Sequence, residues 1–303
     1  MRLCVCGIIL LSLASVGPMT TIANDQFEIE ILRDIEFAKV DEFSLKLDLY
    51  QPVSAASPPL MVWVHGGAWR TGSKDNMPLN ELVKRGFSIA SIDYRLSPVA
   101  KFPAQVHDCK AAIRFLRAKA RQYGYDASKT GIVGSSAGGH LAAEIGVTNG
   151  HSKLEGTVGK HLDQSSSVQA IVDYYGPTNF MTILKQSTPH GLSVRVPALQ
   201  LLLGSQPEEN AALAKLASPV FHVDKNDPPL LMIHGDYDPQ VPINQSHELH
   251  GCYKELGLTA RLEIIHGGAH GGPQFHNQAR IDLIDQFLKT HLREGNTGEK
   301  SSN

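Results

Sequence analysis

From about residue 44 onward, short apolar runs ending in glycine or histidine alternate with stretches whose apolar residues recur at helical spacing. Few architectures accept that alternation. "SLKLDLY" (44–50) alternates apolar and polar residues, as a half-buried strand should. "PLMVWVHGG" (59–67) and "FSIASIDYR" (87–95) are nearly continuous apolar runs, which suit strands covered on both faces. "FPAQVHDCKAAIRFLRAKARQYGY" (102–125) predicts a helix: Pro103 opens it, Val106, Ala112, Ile113 and Leu116 share a face, and Gly124 stops it. "TGIVG" then reads as a strand, followed by a helix from about Gly139 and a strand in "VQAIVDYYGP". "PPLLMIHG" (228–235), a helix in "NQSHELHGCYKELG", a strand in "ARLEIIH" and an amphipathic helix through "QARIDLIDQFLKTHL" complete the series. Such alternation predicts an α/β fold: a mostly parallel central sheet with helices on both faces. Ligands in such sheets gather at the carboxyl ends of the strands, where the glycines, histidines and aspartates of this chain cluster.

Two segments break the alternation. "TNGHSKLEGTVGKHLDQSSS" is polar and loop-like, and residues 178–217 contain short helical stretches interrupted by "STPHG" and Pro207. The second is expected to be a small lid-like insertion, with Phe180, Met181, Leu184, Leu201, Leu202 and Leu203 as its apolar material; packing of those residues into a core is the equally weighted reading.

The 303 residues are 42% apolar and 19% charged, enough for one sizeable core, and the net charge of -2 with mixed signs leaves no footprint for nucleic acid. Arg2, an apolar run over residues 3–16 and small residues at Thr21 and Ala23 predict a signal peptide over residues 1–23, hence a secreted or periplasmic protein with no stable membrane span after its removal. A single α/β domain is expected over residues 24–292 and a flexible tail over 293–303. Cys4 and Cys6 would leave with the signal. Cys109 and Cys252 are expected to be free thiols, a disulfide between them being the alternative. No Cys/His spacing suggests a zinc site, and no cofactor is implied. Oligomeric state is not legible.

Serine needs a base to take its proton, a carboxylate to orient that base and donors for the oxyanion that forms. Gly134-Ser135-Ser136-Ala137-Gly138 matches G-x-S-x-G between a strand and a helix, with Ser136 central; Ser135 has the wrong flanks. "HGGAW" (65–69) follows a buried strand, and its glycines allow backbone N–H groups to face a reacting oxygen together with the N–H of Ala137 at a helix start. "HGDYDPQVP" offers Asp236 and Asp238; Asp238, deeper in the loop, is the candidate acid, Asp236 the turn residue. "IIHGGAHGG" offers His266 and His270; His270, between glycines, is the candidate base. Paired metal ligation by the two histidines is disfavoured by the glycines between them.

These stretches, with "DYRLSP" and "SPV", resemble the α/β-hydrolase esterases of the hormone-sensitive-lipase-like group, and within it the bacterial feruloyl- and carboxylesterase-like (BD-FAE-like) branch, over about residues 40–290. The resemblance implies an α/β-hydrolase fold, with Ser136 as nucleophile, Asp238 as orienting acid, His270 as base, and Gly67, Ala68 and Ala137 as the oxyanion hole. It implies substrate contact for Trp69 and architectural roles for Tyr94, Arg95 and Asp108. The group often carries a third glycine where Ala68 stands. The function expected is hydrolysis of small acyl or aryl esters, with acetyl or feruloyl groups of polysaccharides as a substrate class. The alternatives are a prolyl-oligopeptidase-like serine peptidase and a catalytically silent binding module.

Overall fold

Eight strands form one sheet in the computed structural model, which describes residues 26–293. In chain order they are β1 (Ile29–Val40), β2 (Phe43–Pro52), β3 (Pro59–Val64), β4 (Ser88–Ile92), β5 (Asp126–Ser135), β6 (Ala170–Tyr174), β7 (Leu230–Gly235) and β8 (Ala260–Ile265). Their spatial order is β1-β2-β4-β3-β5-β6-β7-β8. β1, β2 and β4 pair antiparallel, and every pairing from β4 through β3 to β8 is parallel. The helices are α1 (Asn80–Lys84), α2 (Ala104–Tyr123), α3 (Ala137–Val147), α4 (Ser152–Glu155), α5 (Ile183–Gln186), α6 (Pro189–Leu203), α7 (Ala211–Leu216), α8 (Asn244–Glu255) and α9 (Gln278–Arg293). This is the mostly parallel, two-sided α/β-hydrolase sheet that the alternation and the resemblance predict.

The central strands read as unbroken apolar runs because both faces are covered. On β3, Leu60, Val62 and Val64 pack with Val106, Ile113 and Leu116 of α2 and Leu141 and Ile145 of α3. Met61 and Trp63, pointing the other way, pack with Leu82 and Val83 of α1 and with Ile281, Ile284 and Leu288 of α9. Helix α2 ends at Gly124, which takes the left-handed conformation (φ 79°) expected of a helix-stopping glycine.

β1 has no counterpart in the periodicity reading. Its sequence, "IEILRDIEFAKV", carries charges at nearly every second or third position, because it is an edge strand with most side chains at least partly exposed. Irregular pairing at Leu32/Ile35 and Glu36/Ala38 further blurs its alternation. Its charges are used: Arg33 Nη1 and the Asp34 N–H both donate to the buried Asp48 carboxylate, each at 2.8 Å. Lys74 Nζ lies 2.8 Å from the same group. A charged, bulged edge of this kind resists pairing with another sheet.

Residues 178–217 form α5, α6 and α7. Phe180, Leu202 and Leu203 are buried in the main core, Met181 and Leu184 pack against it, and Leu201 is exposed. The apolar residues of this stretch therefore serve chiefly as packing. Cys109 and Cys252 are both unpaired. The signal expected over residues 1–23 and the tail beyond Arg293 lie outside the described residues. Among the described residues, no helix is long and apolar enough to cross a membrane.

Candidate active site

β5 runs straight into α3, and the residue at the junction is Ser136, held at φ 55° and ψ -117°. A β-carbon makes positive φ costly, so the neighbours must impose it. Ser136 N–H donates to the Tyr174 carbonyl at 2.8 Å, fixing the turn to β6. The flanking glycines are a matter of space. A Cβ on Gly134 would lie 2.1 Å from the Gly138 carbonyl oxygen, and one on Gly138 would lie 2.0 Å from that of Val64. Sharp strand-to-helix turns of this kind present the serine hydroxyl above the sheet edge.

Loops after β7 and β8 meet that hydroxyl. His270 Nε2 lies 2.8 Å from Ser136 Oγ, and His270 Nδ1 lies 2.6 Å from Asp238 Oδ2. A carboxylate only accepts, so Nδ1 carries the proton and Nε2 is left as the acceptor for the serine hydroxyl. Asp238 is fixed in turn: its Oδ1 accepts the N–H groups of Gln240 and Val241 at 2.8 and 2.9 Å. His234 Nε2, facing both the Val241 carbonyl at 3.0 Å and Asp238 Oδ2 at 3.3 Å, supplies a further donor. Burial alone would raise the Asp238 pKa, but the bonds from His234, His270 and Val241 outweigh it and hold the carboxyl well below the usual range.

The backbone N–H groups of Gly67, Ala68 and Ala137 are each turned by the carbonyl of the preceding residue in the same peptide. A trans peptide points its N–H opposite to its C=O. The Gly66 carbonyl faces His65 Nδ1 at 2.8 Å, so the Gly67 N–H points away from that ring. The Gly67 carbonyl accepts from the N–H groups of Arg70 and Thr71, both at 3.1 Å, so the Ala68 N–H is turned the other way. The Ser136 carbonyl accepts from His140 N–H at 2.9 Å, so Ala137 presents its N–H at the open start of α3. Gly67 takes φ 103°, and a Cβ there would sit 2.1 Å from the Thr71 carbonyl oxygen. Ala68 occupies the left-handed region at φ 52°, at a position where the resemblance often has glycine. Behind this loop, Tyr94 Oη donates to the His65 carbonyl at 3.1 Å and its ring stacks on His65 at 4.4 Å. Arg95 grips Asp108 through Nε and Nη2 at 2.8 and 2.7 Å. Both contacts are architectural.

The hydroxyl opens onto a cleft of about 580 Å³ lined by the 65–72 loop, Asn76, Ser135, Ser136, Tyr175, His270, Gln240, and Val194 and Arg195 of α6. Trp69, expected to meet substrate, does not reach this wall. It is wholly buried, with Nε1 donating to His140 Nδ1 at 3.2 Å and its ring packed edge-on against Phe180. Its φ of 59° turns the indole inward, so it supports the loop from behind. Asp236 and His266 pair with each other, at 2.8 Å, away from the serine. Among the described residues, no group of three or more His, Cys, Asp or Glu is placed to hold a metal ion.

The cleft walls contributed by Tyr175, Gln240, Arg70 and Arg195 were not singled out from the sequence. Tyr175 directly follows β6, and its ring lies 4.7 Å from that of His270; its place after a strand end was the one available signal. Arg195 had none, because nothing in a helix pattern distinguishes a side chain turned into a cleft.

A family model described as BD-FAE matches residues 47–253. The chain is 30% identical over 234 residues to Esterase LipC of Mycobacterium tuberculosis, covering 75% of this chain and 54% of LipC. It spans about half the length of the curated relatives it matches first. Among solved structures, a truncated form of a carbohydrate esterase from gut microbiota superposes with a TM-score of 0.79 at 33% identity, over 90% of this chain and 99% of that one. Esterase 2 of Thermogutta terrifontis, phosphonylated by sarin, superposes with a TM-score of 0.72 at 27% identity, over 91% of this chain and 98% of the other.

Proposed function

The chain belongs to the BD-FAE family, and on that premise we propose that it is a serine carboxylic ester hydrolase working through an acyl-enzyme. The observation that carries this is the continuous Asp238–His270–Ser136 chain, at 2.6 and 2.8 Å, beside an open cleft. Ser136 Oγ attacks the acyl carbon while His270 Nε2 takes its proton. The Gly67, Ala68 and Ala137 N–H groups receive the oxyanion, each such donor being worth about 3 kcal/mol in the transition state. The ester C–O bond then breaks, and the alcohol leaves with the proton returned by His270. A water molecule, deprotonated by the same nitrogen, attacks the acyl-enzyme, releasing the acid and restoring Ser136. Asp238 holds the imidazole tautomer and stabilises its charged form without itself taking the proton.

Small acyl and aryl esters, and acetyl or feruloyl groups of polysaccharides, are the proposed substrates. Likeness to a carbohydrate esterase and to an esterase that reacts with an organophosphonate supports that reading. Export to the periplasm or medium through a signal over residues 1–23 belongs to the same proposal and is checked by N-terminal sequencing of the exported protein.

The deciding experiment is labelling with a fluorophosphonate, paired with rates on p-nitrophenyl acetate, p-nitrophenyl octanoate, methyl ferulate and acetylated xylan. Wild type is expected to label and Ser136→Ala to lose both label and turnover, by about 10⁵-fold or more in kcat. Absence of labelling in wild type removes the proposal. A strong preference for octanoate removes its polysaccharide part.

A further inference from the structure

Two cations stand on the cleft wall without counter-ions. Arg70 and Arg195 both line the cleft that holds Ser136, and no aspartate or glutamate does. Among the described residues, ion pairs engage Arg33, Arg85, Arg95, Arg114, Arg261 and Arg280, and neither of these two. Arg195 is the unusual one. The residue is 1% exposed, and Nε and Nη1 have no hydrogen-bond partner. Its Cζ lies 5.8 Å over the Trp69 ring, a contact that offsets only part of the cost of burying the charge. Asp238 is the acid whose field reaches it most strongly, but both oxygens of Asp238 are occupied by Gln240, Val241, His234 and His270. Arg70 adds repulsion. Burial lowers the Arg195 pKa to about 10, which leaves the group charged at neutral pH.

Buried guanidinium groups are normally paired, since an uncompensated one is costly. The buried Arg195 and the half-buried Arg70 face one cleft with no carboxylate on its walls, an arrangement that an anion arriving from solution would complete. Guanidinium binds planar carboxylate through parallel N–H donors. We propose that Arg195 and Arg70 form an anion subsite that binds a carboxylate carried by the ester substrate. The subsite rests on the hydrolase reading, since it sorts substrates for the same Ser136.

The test uses matched pairs differing by one carboxylate. On the acyl side, mono-p-nitrophenyl glutarate is compared with p-nitrophenyl pentanoate. On the alcohol side, the O-acetylated methyl glucuronoside bearing a free carboxylate is compared with the O-acetylated methyl glucoside. Wild type should favour the anionic member of one pair by tenfold or more in kcat/KM, with the difference in KM, and the pair that responds tells which half of the ester faces the arginines. The preference should shrink severalfold in 0.5 M NaCl, a measurement that needs no variant. Arg195→Gln should bring the ratio within about twofold of unity; Arg70→Gln, at a less buried position, should lower it in the same direction. Turnover of both neutral esters with no gain from either carboxylate overturns the subsite alone. No turnover of any of the four overturns the hydrolase reading and the subsite with it.

Discussion

Asp236 and Asp238 share one loop, His266 and His270 share another, and each aspartate has taken one histidine at hydrogen-bond distance. Chemically the two pairs are alike, so surroundings decide between them. The His266 side chain is 85% exposed, and its Asp236 partner also caps the Gly267 N–H. His270 is mostly enclosed and reaches Ser136. An exposed pair of this kind contributes little. Asp236→Asn and His266→Ala should therefore change kcat/KM by less than about threefold, whereas Asp238→Asn should lower kcat by about 10³- to 10⁴-fold by permitting the wrong imidazole tautomer. Ester hydrolysis assayed on the three variants separates the pairs. Because Asp238 is held well below the usual carboxylate range, it stays ionised through the acid limb of a pH–rate profile. Asp238 should therefore add no step to that limb, and log kcat/KM should fall with a slope no steeper than one per pH unit on acidification; a slope of two would require a second essential base. Chain order and loop position were enough to prefer Ser136, Asp238 and His270 over their neighbours. They misplaced Trp69, because an aromatic residue after a glycine pair turns inward or outward according to backbone dihedrals that no sequence pattern displays.

At the scale of the element, the strand–turn–helix from β5 through Ser136 to α3 tolerates almost no added atoms. Gly138→Ala would drive a methyl to 2.0 Å from the Val64 carbonyl oxygen, where the neighbour is main chain of β3 and has nowhere to go. The expected cost is about 3 kcal/mol, a Tm lower by about 6–12 °C, with activity lost because the Ser136 hydroxyl shifts. Gly251 is the contrast. It lies inside α8, and a Cβ there meets nothing within 4 Å. Gly251→Ala should stabilise by about 0.5–1 kcal/mol through helix propensity alone, and calorimetry on both variants should give opposite signs. Elements with two covered faces or a clear apolar stripe, such as β3 and α2, were legible to within a few residues. β1 was not, since an edge strand with charges facing solvent and two irregular registers carries little period-two signal. The insertion was legible as an interruption, but its role was not: Leu199, Leu202 and Leu203 pack into the core, and what faces the cleft is Val194 and Arg195.

Across the whole molecule, gathering the site's supports under one sheet edge buries groups that would rather be charged, and this sets how stability responds to pH. His140, in α3, is lowered by burial from 6.5 to about 4, and His65 likewise. Asp173, at the end of β6 and against Gly139, is raised by burial from 3.8 to about 6. The two kinds act in opposite directions. For the histidines the unfolded chain binds protons that the folded chain refuses, so their contribution is complete above pH 6.5 and is lost as pH falls towards 4. For Asp173 the folded chain keeps a proton that the unfolded chain releases, so its contribution is complete below pH 3.8 and is lost as pH rises through about 6. In the shared window the two slopes oppose, and removing either should tilt the balance. Asp173→Asn keeps an acceptor for the Gly176 N–H, which now bonds Oδ1 at 2.8 Å. Its stability relative to wild type should rise by up to about 3 kcal/mol between pH 4 and pH 6.5. His140→Gln keeps an acceptor for Trp69 and a donor for the Ala217 carbonyl. Relative to wild type it should gain by a similar amount in the reverse direction, as pH falls from 6.5 to 4. Urea unfolding followed by circular dichroism at pH 4, 5, 6 and 7 reads both differences. Parallel curves for a variant and wild type would mean that the substituted side chain titrates alike in the folded and unfolded chain, and that water reaches it beneath the sheet edge.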